Sequence, residues 1–203
     1  SMAFITGKWA NPFAPPPAKI RPTFGRSTFF SFSAKEDCAG FSFPHKEKHN
    51  IKHIKNEKIQ EFSDSILFTA LSIPNPHLIG IVNNYYISES SHQLSLAQQL
   101  NNNSCYTPDG VNVSYVYPMS KDEIFVRTFE RGVGFTNACG TAMTASALVA
   151  YINNYVSSSL VTVYNPGGFV KCKISIDNNL YRLRLIGNAT YIQQLKIHIN
   201  EFD

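Results

Sequence analysis

Residues 140–155 read Gly-Thr-Ala-Met-Thr-Ala-Ser-Ala-Leu-Val-Ala-Tyr-Ile-Asn-Asn-Tyr. Ala, Met and Leu favour a helix here, and the paired Asn153 and Asn154 weaken its end. A helix this apolar must be buried on most of its surface. Strand patterns surround it. Residues 29–33 and 41–43 alternate aromatic and small side chains, and 65–72 form an apolar run. Pro74-Asn75-Pro76-His77 reads as a sharp interruption before a second apolar run over 78–82. A shorter helix is expected over 94–100, capped by Ser91. Residues 111–117 and 123–129 alternate as strands about a turn at 120–122. Strands at 160–164, 169–176 and 180–185 follow, separated by Asn165-Pro166-Gly167-Gly168 and Asp177-Asn178-Asn179, and 191–199 reads as a last strand. Many strands with one long buried helix predict an α+β fold, a curved, mostly antiparallel sheet wrapped around a central helix. Residues 1–30, with Asn11-Pro12-Phe13-Ala14-Pro15-Pro16-Pro17, read as a proline-rich N-terminal arm, and 31–203 as the domain.

Composition narrows the class. The four cysteines, at 38, 105, 139 and 172, form no CxxC pair or metal spacing and read as free thiols of a reducing cytoplasm. No apolar run reaches the length of a membrane span, and no signal-peptide pattern is visible. The net charge of +4 is mild. The basic stretch over 46–58 reads as a solvated face, since no aromatic interleaving marks a nucleic-acid reader. His45, His49 and His53 recur every four residues, but Pro44 precedes them and no carboxylate or cysteine closes a metal site. No phosphate loop or Schiff-base lysine setting appears, so no cofactor is expected.

The chemistry concentrates in Arg127-Thr-Phe-Glu-Arg-Gly-Val-Gly-Phe-Thr-Asn-Ala-Cys-Gly-Thr-Ala-Met143. This is a strand, a glycine-bearing loop, and a cysteine at a helix N-terminus. Unpaired N–H groups there bind anions and are expected to lower the Cys139 pKa. Gly140 and Thr141 can offer backbone N–H groups to a carboxylate, and Gly140 permits close approach. The bland alternative for Cys139 is a buried structural thiol. Glu130 and Arg131 stand between strand and loop, where polar groups are fixed; an exposed ion pair is the alternative. His77 alone would read as a core histidine, and Asn75 as a turn residue. Cys38 is a poor candidate for a second reactive thiol, because Glu36 and Asp37 raise its pKa and Pro44 denies it a helix to cap.

Taken in order, Asn75-Pro76-His77, Gly110-Val111-Asn112-Val113, Glu130-Arg131-Gly132-Val133-Gly134, Ala138-Cys139-Gly140-Thr141, Pro166-Gly167-Gly168 and Gly187-Asn188-Ala189-Thr190 form a combination. In it the chain resembles the C-terminal half of diaminopimelate epimerase, a family of cofactor-independent amino-acid epimerases. The likeness spans about residues 66 to 192. Departures occur at Pro74 (usually Gly), Phe135 (Glu), Asn137 (apolar), Ala142 (Gly) and Asn188 (Pro). The family has two similar halves, and the first half's Cys-Gly-Asn-Gly element is absent from this sequence. The resemblance implies one half of that fold and half of an active site. It implies catalytic roles for Cys139, Glu130 and His77, and substrate contacts from Asn75, Asn112, Glu130, Arg131, Gly140 and Thr141. The implied reaction is interconversion of LL- and meso-diaminopimelate, in the cytoplasm, for lysine and cell-wall synthesis. The missing half would come from a homodimer or from a separate chain. The alternative is a non-catalytic or truncated amino-acid-binding relative.

Overall fold

The computed structural model describes residues 27–35, 41–43, 52–59, 62–73, 75–83, 90–102, 110–178 and 180–188 of the chain. The expected last strand over 191–199 and most of the N-terminal arm lie outside these residues. Along the chain come β1 (Ser27–Lys35), β2 (Phe41–Phe43), β3 (Lys52–Ile54), β4 (Glu57–Ile59), β5 (Ser63–Ile73), β6 (Asn75–Ile81) and α1 (Ser90–Asn102). They are followed by β7 (Asn112–Pro118), β8 (Glu123–Glu130), β9 (Gly134–Thr136), α2 (Gly140–Ile152), β10 (Leu160–Asn165), β11 (Gly168–Asp177) and β12 (Leu180–Asn188).

One sheet runs β1-β12-β11-β10-β8-β7-β6-β5-β4, with β9 hairpinned onto β8, while β2 and β3 pair separately. Its pairs are antiparallel except β6·β7 and β8·β10. Those two parallel pairs need crossovers, and the connections carry the two helices: α1 lies between β6 and β7, and α2 between β8 and β10. The sheet curls around α2, which packs on β5, β6, β7, β8, β10, β11 and β12. Every residue from Ala142 to Ala150 is buried. The fold is therefore the α+β class expected, a mostly antiparallel curved sheet around a central helix.

Strand alternation sorts the core into two layers. Ile79, Val116, Ile124 and Val126 join the α2 cluster, together with Val161, Val163, Ile174 and Leu183 of the later strands. Leu78, Val113, Tyr115 and Phe129 point the other way, to Leu96, Ala97 and Leu100 of α1. Strands covered on both faces lose the polar half of the period-2 pattern, which is why the middle of the chain reads as continuous apolar runs. β11 and β12 keep a solvent face and alternate through their middles, Cys172 and Ile174 buried on β11 and Tyr181, Leu183 and Leu185 on β12.

Several boundaries differ from expectation. β6 begins at Asn75, which pairs directly with Ile73 of β5. α1 starts at Ser90, so Ser91 lies inside its first turn instead of capping it. α2 ends at Ile152 and not at 155, its C-cap being Asn153. Part of the basic stretch forms β3 and β4: Ile54 and Ile59 are buried while Lys55, Glu57 and Lys58 face solvent. The glycine loop after Glu130 contains β9. Gly132 (φ +75°) and Gly134 (φ +103°) turn the chain back within three residues, a conformation that side-chain-bearing residues rarely adopt.

Candidate active site

On its α2-facing side the sheet carries a row of polar residues at one end. His77 on β6 is in register with Asn112 on β7. Val113 pairs with Phe129, so one residue further Asn112 comes beside Glu130 on β8. The Asn112 side-chain oxygen accepts the Arg131 backbone N–H at 3.0 Å, pinning the chain where β8 turns into its hairpin. The N-terminus of α2 closes this end of the row.

Cys139 is the N-cap of α2, with extended backbone (φ −135°, ψ 108°), and its carbonyl accepts the first helical bond from Met143. The position usually held by an oxygen-bearing side chain is thus filled by a thiol, a weak acceptor. Its sulfur lies 3.5 Å from the Thr141 hydroxyl. No acidic residue occupies the first turn of α2. The N–H groups of Gly140 and Thr141 come before the first helical bond, so the helix interior does not use them.

The expected lowering of the Cys139 pKa is not what this environment produces. Burial pushes the thiol upward; the Thr141 hydroxyl and the Ala142 N–H oppose this, and the charge and hydrogen bond of Glu130 add to the rise. Desolvation and a neighbouring carboxylate outweigh the helix terminus. The thiol is accordingly held protonated, with the Glu130 carboxylate against it. Cys172, by contrast, sits in the core with its thiol pushed up to about 12 by burial alone. Cys38 and Cys105 lie outside the described residues.

His77 is fully buried, and burial lowers its pKa from 6.5 to about 4, with a weak opposing pull from the Ile73 backbone. Neither ring nitrogen makes a hydrogen bond of good geometry. A buried imidazole without well-formed hydrogen bonds is costly, and His77 sits in the polar row, in register with Asn112. Asn75, two residues earlier on the same face, is exposed at the rim, and Arg131 is exposed at the hairpin.

Three supports were not visible in the sequence reading. The Thr136 hydroxyl on β9 donates to a Glu130 carboxylate oxygen at 2.6 Å. On the opposite face Phe135 packs edge-on to Phe129 at 5.7 Å, and the Arg127 guanidinium lies 4.5 Å over the Phe135 ring. Arg127 also donates to the Gln93 side chain at 3.0 Å, and the Tyr115 hydroxyl donates to the Gln93 carbonyl at 2.7 Å, tying α1 to the sheet. Finally, Gly167 donates its N–H to the Asn137 carbonyl at 2.8 Å. A Cβ at Gly167 would stand 2.8 Å from that same oxygen. The Pro166-Gly167-Gly168 turn therefore braces the loop that delivers Cys139.

Among the described residues no three His, Cys, Asp or Glu side chains converge as a metal site requires. His45, His49 and the His53 side chain are outside them. Among the described residues no helix is long and apolar enough to cross a membrane.

A family model described as diaminopimelate epimerase matches residues 69–192. A diaminopimelate epimerase of Listeria monocytogenes is 45% identical over 146 residues, covering 71% of this chain and 44% of that one. One from Clostridium acetobutylicum is 46% identical over 138 residues, covering 67% of this chain and 40% of that one. The chain thus spans less than half the length of these relatives. In fold it is similar to the crystal structure of a putative phenazine biosynthesis PhzC/PhzF protein from Clostridium difficile. That likeness has a TM-score of 0.52 at 12% identity and covers 84% of this chain and 58% of the other.

Proposed function

Since this chain belongs to the diaminopimelate epimerase family, we propose that it carries one half of a cofactor-independent epimerase site interconverting LL- and meso-diaminopimelate. The observation that carries this reading is the Cys139 thiol and Glu130 carboxylate set together at the start of a buried helix. Glu130 takes the thiol proton; the thiolate then removes the Cα proton, leaving a carbanion and a restored thiol, while a donor on the opposite face delivers a proton with inversion. In the reverse direction Cys139 is the donor. The N–H groups of Gly140 and Thr141 hold the α-carboxylate as charge grows on it. Asn75, Asn112 and Arg131 line the row and its rim, where the remaining amino and carboxylate groups bind. The site uses no metal or organic cofactor in this scheme.

The opposite-face group is a second cysteine, supplied by another copy of this chain or by a chain bearing the other half-site. Its partner on this side is His77, which is buried in register with Asn112. The enzyme so assembled works in the cytoplasm in lysine and cell-wall synthesis. The second reading is a binding relative without turnover.

Incubation of the full chain with LL-diaminopimelate, following the meso form by chiral chromatography, tests the proposal. Turnover lost in Cys139→Ala and Glu130→Gln supports it. Saturable binding without turnover, in the chain alone and at concentrations that drive self-association, favours the binding relative.

A further inference from the structure

The geometry points to Thr136 as the residue that positions Glu130 against Cys139. This rests on the Cys139–Glu130 reading above and adds a residue to it. The bond from the Thr136 hydroxyl to Glu130 is short, at 2.6 Å. It spans the β8–β9 hairpin, in which Glu130 opposes Gly134 and Thr136 opposes Thr128. Thr128 is itself tied to Ser114 on β7 at 3.0 Å. β9 is therefore held on both faces. Phe135 is clamped between Phe129 and Arg127 on one side, and Thr136 grips the carboxylate on the other.

Glu130 is only partly buried at the end of its strand, and a part-buried glutamate can also adopt rotamers directed to solvent. Without a fixed donor the carboxylate would favour those rotamers, both for hydration and for entropy. Thr136 removes that freedom. It engages one carboxylate oxygen, Oε1. The remaining polar neighbours do not duplicate it: Asn112 binds the Arg131 backbone, and the Thr141 hydroxyl is on the sulfur.

The test is the pH profile of Cys139 alkylation by iodoacetamide in the full chain, read by mass spectrometry of the Cys139 peptide. Because the Glu130 carboxylate raises the thiol pKa, releasing it lowers the midpoint. Glu130→Gln sets the size of that drop, through loss of the adjacent charge. Thr136→Val is expected to move the midpoint most of the way to the Glu130→Gln value, and Thr136→Ser, which keeps the hydroxyl, to leave it near the parent. A parental midpoint in Thr136→Val, with the Glu130→Gln shift intact, would overturn the role of Thr136 alone. No shift in Glu130→Gln would overturn the carboxylate–thiol pairing itself.

Discussion

At the scale of single residues, burial decides protonation in this site. His77 is neutral because charging it in the core is unfavourable, and this has a consequence for folding. The unfolded chain takes up a proton at pH 6.5, while the folded chain resists until about pH 4. The unfolded state thus binds more protons between those values, so stability falls as pH drops through that window, by up to ~3 kcal/mol. Chemical denaturation of His77→Leu at pH 7 and pH 4.5 is expected to lack most of the acid loss seen in the parent; an unchanged difference would place the acid sensitivity elsewhere. Cys139 follows the same physics with the opposite sign, its raised pKa keeping the thiol protonated at neutral pH. Its alkylation by iodoacetamide is expected to rise steeply only above the usual thiol range, and Glu130→Gln to bring that rise to lower pH. The residues of the pair were legible in sequence because a cysteine before Gly-Thr and a helical run is an unusual arrangement. The direction of the thiol shift was not, since desolvation depends on what the fold stacks over the helix start. Thr136 was hidden for a related reason: only the hairpin brings it back onto Glu130.

Among the elements, α2 organises the rest. Its apolar character all round made it readable, and it fixed the sheet as something that must curl. Leu148, 2% exposed at its centre, is expected to cost about 2–5 kcal/mol when truncated to Ala, measured by urea denaturation. The Pro166-Gly167-Gly168 turn is the other element with leverage on the site. Gly167→Ala forces a methyl against the Asn137 carbonyl at 2.8 Å. An expected loss of about 1–3 kcal/mol should come with faster alkylation of Cys139, because the loop bearing the cysteine must shift. A stable variant with parental alkylation would show that the turn does not brace the loop. The short strands escaped the sequence reading for definite reasons. β9 has three residues, the first a glycine, too few for a period, and β3 and β4 hide Ile54 and Ile59 among exposed charges. The Arg127–Gln93–Tyr115 ties joining α1 to the sheet cross 34 and 22 positions of sequence, and no local pattern encodes them.

For the molecule as a whole, the proposal to be tested is a site with one face. The polar row of His77, Asn112 and Glu130 meets the start of α2, while the relatives extend over more than twice the length matched here. Inversion at carbon needs proton donors and acceptors on both sides of a plane, and in the proposed scheme Cys139 serves one of them. Exchange and inversion therefore separate: a single thiol base can wash a Cα proton out to solvent and return a deuteron to the same face. If two copies complete each other, epimerisation per chain should rise with protein concentration along with the dimer fraction measured by sedimentation. A rate per chain that is flat across the association range would exclude that route to completion.

The measurement that tests the central claim most directly is Cα hydrogen–deuterium exchange of LL- and meso-diaminopimelate in deuterated water, followed by proton NMR. The full chain is expected to remove the Cα signal, and Cys139→Ala to leave it intact. Exchange that persists undiminished in Cys139→Ala, or that is absent from the parent at substrate concentrations where binding is measured, would contradict a catalytic thiol at the start of α2.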